Sequence, residues 1–198
     1  PNFAVFGQAA MNDREYDSQT LVDGLLRSRD STAYTYSAGV DFELNSLLRG
    51  DIAVGFLEDK KDDAYFEDVS GVAVDGRVQW FPSRLTTATF VAGRRVVDSG
   101  VRNSPSSLMS NASARVDHEL YRNLILSGQV GYTVYEFEEV DREDEITDFG
   151  VSAIYKVNKH VHVNGFARRI DRQRSGSVIL IDQDYKADLL GIEIRIYP

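Results

Sequence analysis

Long stretches that alternate apolar and polar residues, tight turns between them at one end and long polar loops at the other predict an all-β chain. The expected architecture is a transmembrane antiparallel up-and-down β-barrel of about ten strands. The stretch Val69 to Val91 shows the pattern at its clearest. Val72, Val74, Gly76, Val78 and Trp80 fall on one side of an extended strand, and Ala73, Asp75, Arg77 and Gln79 on the other. Phe81-Pro82-Ser83-Arg84 is expected to turn the chain, because proline fixes φ and has no N–H for a ladder, and Leu85 to Val91 returns. Most such segments run roughly 10 to 13 residues, where soluble strands average about 5 or 6 and membrane-crossing ones need about 9 to 11.

Taken in order, Phe3 to Met11 alternates weakly and Asn12 to Asp30 reads as an exposed loop. Tyr34, Tyr36, Ala38, Val40, Phe42 and Leu44 then alternate with Thr35, Ser37, Gly39, Asp41 and Glu43. Ile52, Val54 and Phe56 lead into the loop Glu58 to Asp68, and the Val69 to Val91 hairpin, extended through Arg95, leads to a loop at Asp98 to Ser107. Leu108 to Leu120 and Leu124 to Val134 alternate around a turn at Tyr121-Arg122-Asn123, and an acidic loop follows from Glu136 to Glu145. Phe149 to Val157 turns at Asn158-Lys159 and returns as Val161 to Ile170. After the loop Asp171 to Lys186, whose run Val178 to Ile181 reads as a strand tip or a folded-in plug, Leu190, Ile192, Ile194 and Ile196 close the chain. The tight turns each carry a base: Arg49, Arg84, Arg122 and Lys159.

Composition fits this class. The 198 residues make one domain, 1–198, or part of one, and a mean hydropathy of -0.30 suits a barrel in which only alternate residues meet lipid. No window approaches the roughly 18 to 20 apolar residues of a spanning helix. A net charge of -9 argues against nucleic acid, which selects clustered Lys and Arg. Zero cysteines exclude disulfides and thiol chemistry. No signal peptide is visible and the chain opens at Pro1 in what reads as a strand, so a leader, alone or with further strands, is expected to have preceded it.

At Asp68-Val69-Ser70-Gly71, at Trp80 to Thr87, and again at Arg115-Val116-Asp117-His118-Glu119-Leu120-Tyr121-Arg122-Asn123-Leu124, the chain resembles the bacterial outer-membrane proteins called putative β-barrel porin 2. Asp141-Arg142-Glu143-Asp144 looks like the acidic loop those proteins carry after the next strand. The resemblance covers Tyr34 to the C-terminus and implies an outer-membrane location and a passive conduit associated with exopolysaccharide export; it transfers no functional residue. Members of that family are usually much longer, so the chain is either the C-terminal part of a larger barrel or a shorter relative that closes alone. Such proteins also tend to end on an aromatic residue, whereas here Tyr197 is followed by Pro198.

The candidate site is the polar face. It carries Asp41, Glu43, Asp75, Arg77, Arg115, Asp117, Glu119, Lys156, Glu193 and Arg195. Arg or Lys facing lipid near the midplane costs about 2 to 4 kcal/mol each, so these charges are expected to line the lumen. That lumen is either a charged channel or, since barrels of about eight strands are filled by side chains, a closed interior of paired charges. The aromatic girdle candidates are Trp80, Phe81, Tyr121, Tyr132, Tyr155 and Tyr197.

His160 and His162, two apart on one face, lack the further ligands a metal needs, and the acidic loops lack the EF-hand pattern, so no metal and no cofactor is expected. With His118 also near the tight-turn end, no nucleophile, base and acid gather at one rim, and no enzyme is expected. Asn111-Ala112-Ser113 lies within a strand and is discounted as a glycan site. Outer-membrane lipid and lipopolysaccharide are the expected partners, with a polysaccharide or export complex as the cargo side; the oligomeric state is open. Two alternatives stand beside the porin-like channel: a closed anchor barrel whose acidic loops bind a partner outside the cell, and a soluble ligand-binding barrel with the charged face outward.

Overall fold

The computed structural model describes residues 2–22, 24–99, 101, 104–177 and 184–197. Twelve strands lie within them: β1 (Phe3–Arg14), β2 (Thr20–Val22), β3 (Leu25–Arg27), β4 (Ser31–Leu44), β5 (Leu48–Lys61), β6 (Val69–Ser83), β7 (Thr86–Asp98), β8 (Ser106–Tyr121), β9 (Leu124–Phe137), β10 (Glu143–Lys156), β11 (Val161–Ser175) and β12 (Tyr185–Ile196). Ten of them form one antiparallel sheet in the order β1-β4-β5-β6-β7-β8-β9-β10-β11-β12, while β2 and β3 pair only with each other. Apart from that inserted hairpin, each strand pairs with the next in sequence. This is the up-and-down meander that period-two alternation and short turns dictate.

The registers are continuous across the whole sheet. One row runs Ala4, Asp41, Asp51, Arg77, Val91, Ser113, Gly131, Asp148, Ile170, Ala187. It enters β1 beside its tight-turn end and leaves β12 beside its loop end, a stagger of about one residue per strand. With a rise of about 3.4 Å and a strand spacing of about 4.8 Å, that stagger tilts the strands by roughly 35°. Barrel walls are tilted by this much and flat sheets are not. Among the described residues the sheet is nevertheless open, because β1 and β12 are each paired on one side only. Ile192 on β12 is 79% exposed and Val5 on β1 is 73% exposed. In hydrocarbon an unpaired edge leaves N–H and C=O groups unsatisfied, so within a bilayer both edges need partner strands.

Several boundaries differ from those expected. The turn after Trp80 does not contain Pro82: β6 runs through Ser83, and the pairing shifts between Trp80 and Ser83, leaving Phe81 and Pro82 in a bulge, where proline's missing N–H costs no ladder bond. The segment 12–30 is not an exposed loop. β1 continues through Arg14, and Thr20–Val22 pairs with Leu25–Arg27 in a hairpin that buries Val22. Likewise β5 extends through Lys61, β9 through Phe137, and β10 begins at Glu143, so both acidic loops are shorter than their composition implied. A strand needs only a paired neighbour, and here the neighbour supplies it even to charged residues. The run Val178 to Ile181 and Pro198 lie outside the described residues.

A cluster of buried apolar residues sits at the loop end, where Leu57, Ala73 and Leu108 pack together with Val96 against them. Elsewhere the sheet is two-faced and one residue thick. One tight approach between strands is decisive: a Cβ at Gly55 would meet the Tyr36 carbonyl oxygen and stand 2.6 Å from Ser37 Cα, both backbone atoms that cannot yield. Gly55→Val is therefore expected to exceed the ~1 to 3 kcal/mol of ordinary overpacking and to abolish the folded, heat-modifiable gel band. Gly71→Ala, with no atom within 4 Å of the added Cβ, should leave that band in place.

Candidate functional site

The alternation sorts side chains onto two surfaces. On one face lie Val5, Val40, Ile52, Val54, Val74, Val78, Phe90, Ala112, Val130, Phe149, Val151, Leu190 and Ile192, joined by register from strand to strand. Many are wide open, among them Val54 at 54%, Val130 at 49% and Phe149 at 57%. An apolar surface of this extent is far larger than water-soluble monomers leave exposed.

The same registers put all ten expected charges on the opposite face. Asp41 faces Asp51, which faces Arg77; Glu43 faces Arg49; Asp75 faces Ala53; Lys156 faces His162, which faces Arg195; and Asn164 faces Glu193. Asp117, Arg115 and Glu119 share the face of Ser127 and Gln129, although the pairing of β8 with β9 shifts after Glu119.

The face is divided in character. Across β8 to β11 its side chains form one hydrogen-bonded chain. Arg115 donates from Nη2 to Asp117 at 2.7 Å and to Ser127 Oγ at 3.0 Å, and from Nη1 to Gln129 Oε1 at 3.2 Å. Gln129 Nε2 donates onward to Asp148 Oδ1 at 3.2 Å, and Arg168 donates to the other oxygen of Asp148. On β12, Arg195 binds Glu193 at 2.9 Å. By contrast Asp41, Glu43, Asp75, Arg77, Glu119 and Lys156 make no ion pair among the described residues. Ser127, Gln129, Asp148 and Arg168 were not among the expected site residues. Their signal was the same alternation, but nothing in a sequence says which members of a face will touch.

The aromatic candidates separate. Trp80, opposite Leu48 and Ala88, and Tyr155, opposite Leu124 and Val163, sit on the apolar face, as does Tyr132 opposite Ala112. Tyr121 is exposed beside its turn. Phe81 and Tyr197 do not share the apolar face: the bulge turns Phe81 under the Arg49 guanidinium, 5.0 Å from its ring centroid and within the roughly 6 Å reach of a cation–π contact, and Tyr197 meets the His162 ring edge-on at 4.9 Å. Tyr36 and Phe56, which the alternation also places on the apolar face, are cross-strand partners there and were not among the girdle candidates. His160 is in the turn and not on a strand with His162; its Nδ1 lies 3.1 Å from the Tyr197 carbonyl. His118 Nδ1 is 2.9 Å from Thr86 Oγ1.

At the loop end two carboxylates are fully buried. Asp59 receives Lys61 Nζ at 2.6 Å and Ser106 Oγ at 3.1 Å, and Arg14 reaches between it at 3.5 Å and Asp98 at 3.3 Å. Asp144 is held by Arg142 at 2.8 Å, by Arg172, and by Arg174 at 3.4 Å. Burial alone would raise the Asp144 pKa, but the hydrogen bonds from Arg142 and Arg172, and their charges, outweigh it and hold the carboxyl below the usual aspartate value. Its outward neighbours Glu143 and Glu145 place it beyond the apolar band. Burial, then a hydrogen bond to Asp98, pushes the Tyr16 phenol up, and Arg29 stacks over Tyr16 at 5.2 Å. Because the folded Asp144 pKa is depressed, its stabilisation is present above the unfolded value near 3.9 and fades as pH falls through the folded one. Asp144→Asn should destabilise the neutral-pH protein by ~3 kcal/mol, since three guanidiniums lose their counter-charge, and should flatten the acid limb of a thermal-melt profile against pH.

Comparison with known proteins places this geometry. No curated protein matches the chain. A family model does match, over residues 1–197, and it describes all-β barrels of the porin kind. A meander of tilted strands, apolar on one face and charged on the other, is what such a family requires, and the chain belongs to the putative β-barrel porin 2 family.

Proposed function

We propose that the chain forms a wall of a porin-like channel in the bacterial outer membrane, with the apolar face toward lipid and lipopolysaccharide and the charged face toward water. The observation that carries this reading is the unbroken register, which keeps all ten charges on the surface opposite Val130 and Phe149. Lipid accepts the first surface and rejects the second. Passage is passive, with no catalytic step. Export of an extended polysaccharide, which the resemblance implies, would show as a current block by that polymer.

A second reading has its own support. The loop-end cluster around Asp59 and the arginine cluster around Asp144 tie the loop ends to the strand ends, as suits a closed anchor barrel that presents acidic loops. Planar-bilayer recording separates the two. A channel gives steady single-channel conductance that changes when Arg77→Glu or Arg115→Glu alters the wall; a folded barrel that stays silent is the anchor.

The assignment of faces has a separate test. Val130→Arg should cost about 2 to 4 kcal/mol in a bilayer, read by urea titration of folding into phospholipid vesicles. Ser113→Arg, on the charged face, should cost much less. Equal costs would favour the soluble ligand-binding barrel.

A further inference from the structure

The pairing of β6 with β7 stops at Val74 and Arg94, before either strand ends. Beside that point a cavity of about 360 Å³ opens over β1, β4, β5 and β6. Its lining belongs to the charged face: register joins Phe6, Gly39, Ala53 and Asp75 in one row, and Asp51 and Ala73 lie in the rows on either side. The floor is low because small residues form it. Ala53 and Ala73 are buried, and the Phe6 ring lies across Gly39, where a Cβ would collide with it. A volume of this order falls within the roughly 300 to 1,000 Å³ of small-ligand sites.

Three kinds of chemistry meet in this cavity. Asp51 and Asp75 stand on the wall that β5 and β6 form, and Arg95 lines it from β7. The Arg95 guanidinium folds back toward Gly93, the register partner of Asp75, with Nη1 3.9 Å from where a Cβ on Gly93 would sit. Among the described residues Asp51, Asp75 and Arg95 form no ion pair and no side-chain hydrogen bond. Asp51 also has Asp41 as a direct cross-strand partner, a like-charge pairing that is unfavourable until a cation joins it. Arg77, its partner on the other side, forms no ion pair with it. One wall therefore lacks a cation and the other lacks an anion, while the Phe6 ring and the two alanines make the ground between them apolar.

We propose that this cavity binds an α-amino acid zwitterion with an aliphatic side chain: its ammonium between Asp51 and Asp75, its carboxylate on Arg95, and its side chain against Phe6, Ala53 and Ala73. This deepens the channel reading above and rests on it, because it names the solute class that the wall selects. The chemistry matches at each point. An ammonium has three donors and no acceptor, which suits two carboxylates that lack partners. Asp51 and Asp75 are diagonal neighbours across β5 and β6, a spacing of roughly 7 to 8 Å from which two side chains can converge on one group. A guanidinium pairs with a carboxylate through two parallel hydrogen bonds. A solute with only one of the two charges leaves one wall unsatisfied.

The test is isothermal titration calorimetry of the full chain folded in detergent micelles, with folding checked by heat-modifiable mobility. The probes are L-leucine, N-acetyl-L-leucine, which carries no ammonium, and L-leucinamide, which carries no carboxylate. Leucine is expected to bind at least tenfold more tightly than either. Asp75→Asn and Arg95→Gln should each weaken leucine at least tenfold, and Arg95→Gln should also make leucine and leucinamide bind alike. Lys159→Gln, in a tight turn, should change nothing. A folded chain that binds no leucine, binds all three probes equally, or binds leucine just as well after Asp75→Asn and Arg95→Gln overturns the site. Planar-bilayer recording keeps that failure apart from failure of the channel. A conducting chain that binds no leucine leaves the channel without this site, and a silent chain that binds leucine supports the site and overturns the conduit.

Discussion

Everything in this sheet depends on register. Most strands present opposite chemistry on their two faces, the Arg169–Asp188 pair beside Phe149 being an exception on the apolar side, so a slip of one residue between two neighbours would carry the charges of one strand to the apolar side and its valines to the charged side. The row from Ala4 to Ala187 shows that no such slip occurs over ten strands. Two irregularities, after Trp80 and after Glu119, fall beside tight turns, where the ladder is about to end and an extra residue disturbs no further pairing. The sheet thus keeps its error tolerance at one rim and none in the middle.

The same constraint explains why the charged surface is not uniform. Between β8 and β11 it is a chain of guanidinium, amide, hydroxyl and carboxylate groups in mutual contact, and each group fixes its neighbour. Networks of this sort rigidify when fully satisfied. On the β4 to β6 side, Asp41 and Asp51 are direct cross-strand partners of like charge, an arrangement that is normally destabilising and is tolerable where water can solvate both. One part of the wall is held by its own side chains and the other by its backbone ladder.

The loop end follows a different rule from the rest. There the chain has a core, small and partly ionic, in which Asp59 and Asp144 are buried among cations. A buried carboxylate with several donors adds little net stability but defines one arrangement, since removing any partner strands a charge. That suits strand ends that must be held in one place.

Much of this was legible in the sequence. The alternation of Val72 to Trp80 and of Leu124 to Val134 marked strand and face but not the strand ends, which run on to Ser83 and Phe137, because period two is a local property that survives in any β context, and the shared face of the ten charges followed from it. What the sequence did not determine lies where partners come from far along the chain. Nothing local to Asp59 announces Ser106 or Arg14, nothing near Asp144 announces Arg172, and the polar stretch 12–30 reads as solvent until its hairpin finds a surface to bury Val22. Phe81 and Tyr197 went astray for a related reason: an aromatic at a strand end obeys the bulge or ring beside it and not the alternation behind it. Tertiary structure decided which charges pair, where β6 and β7 part, and that both sheet edges are open among the described residues, since each depends on distances between segments that no periodicity encodes.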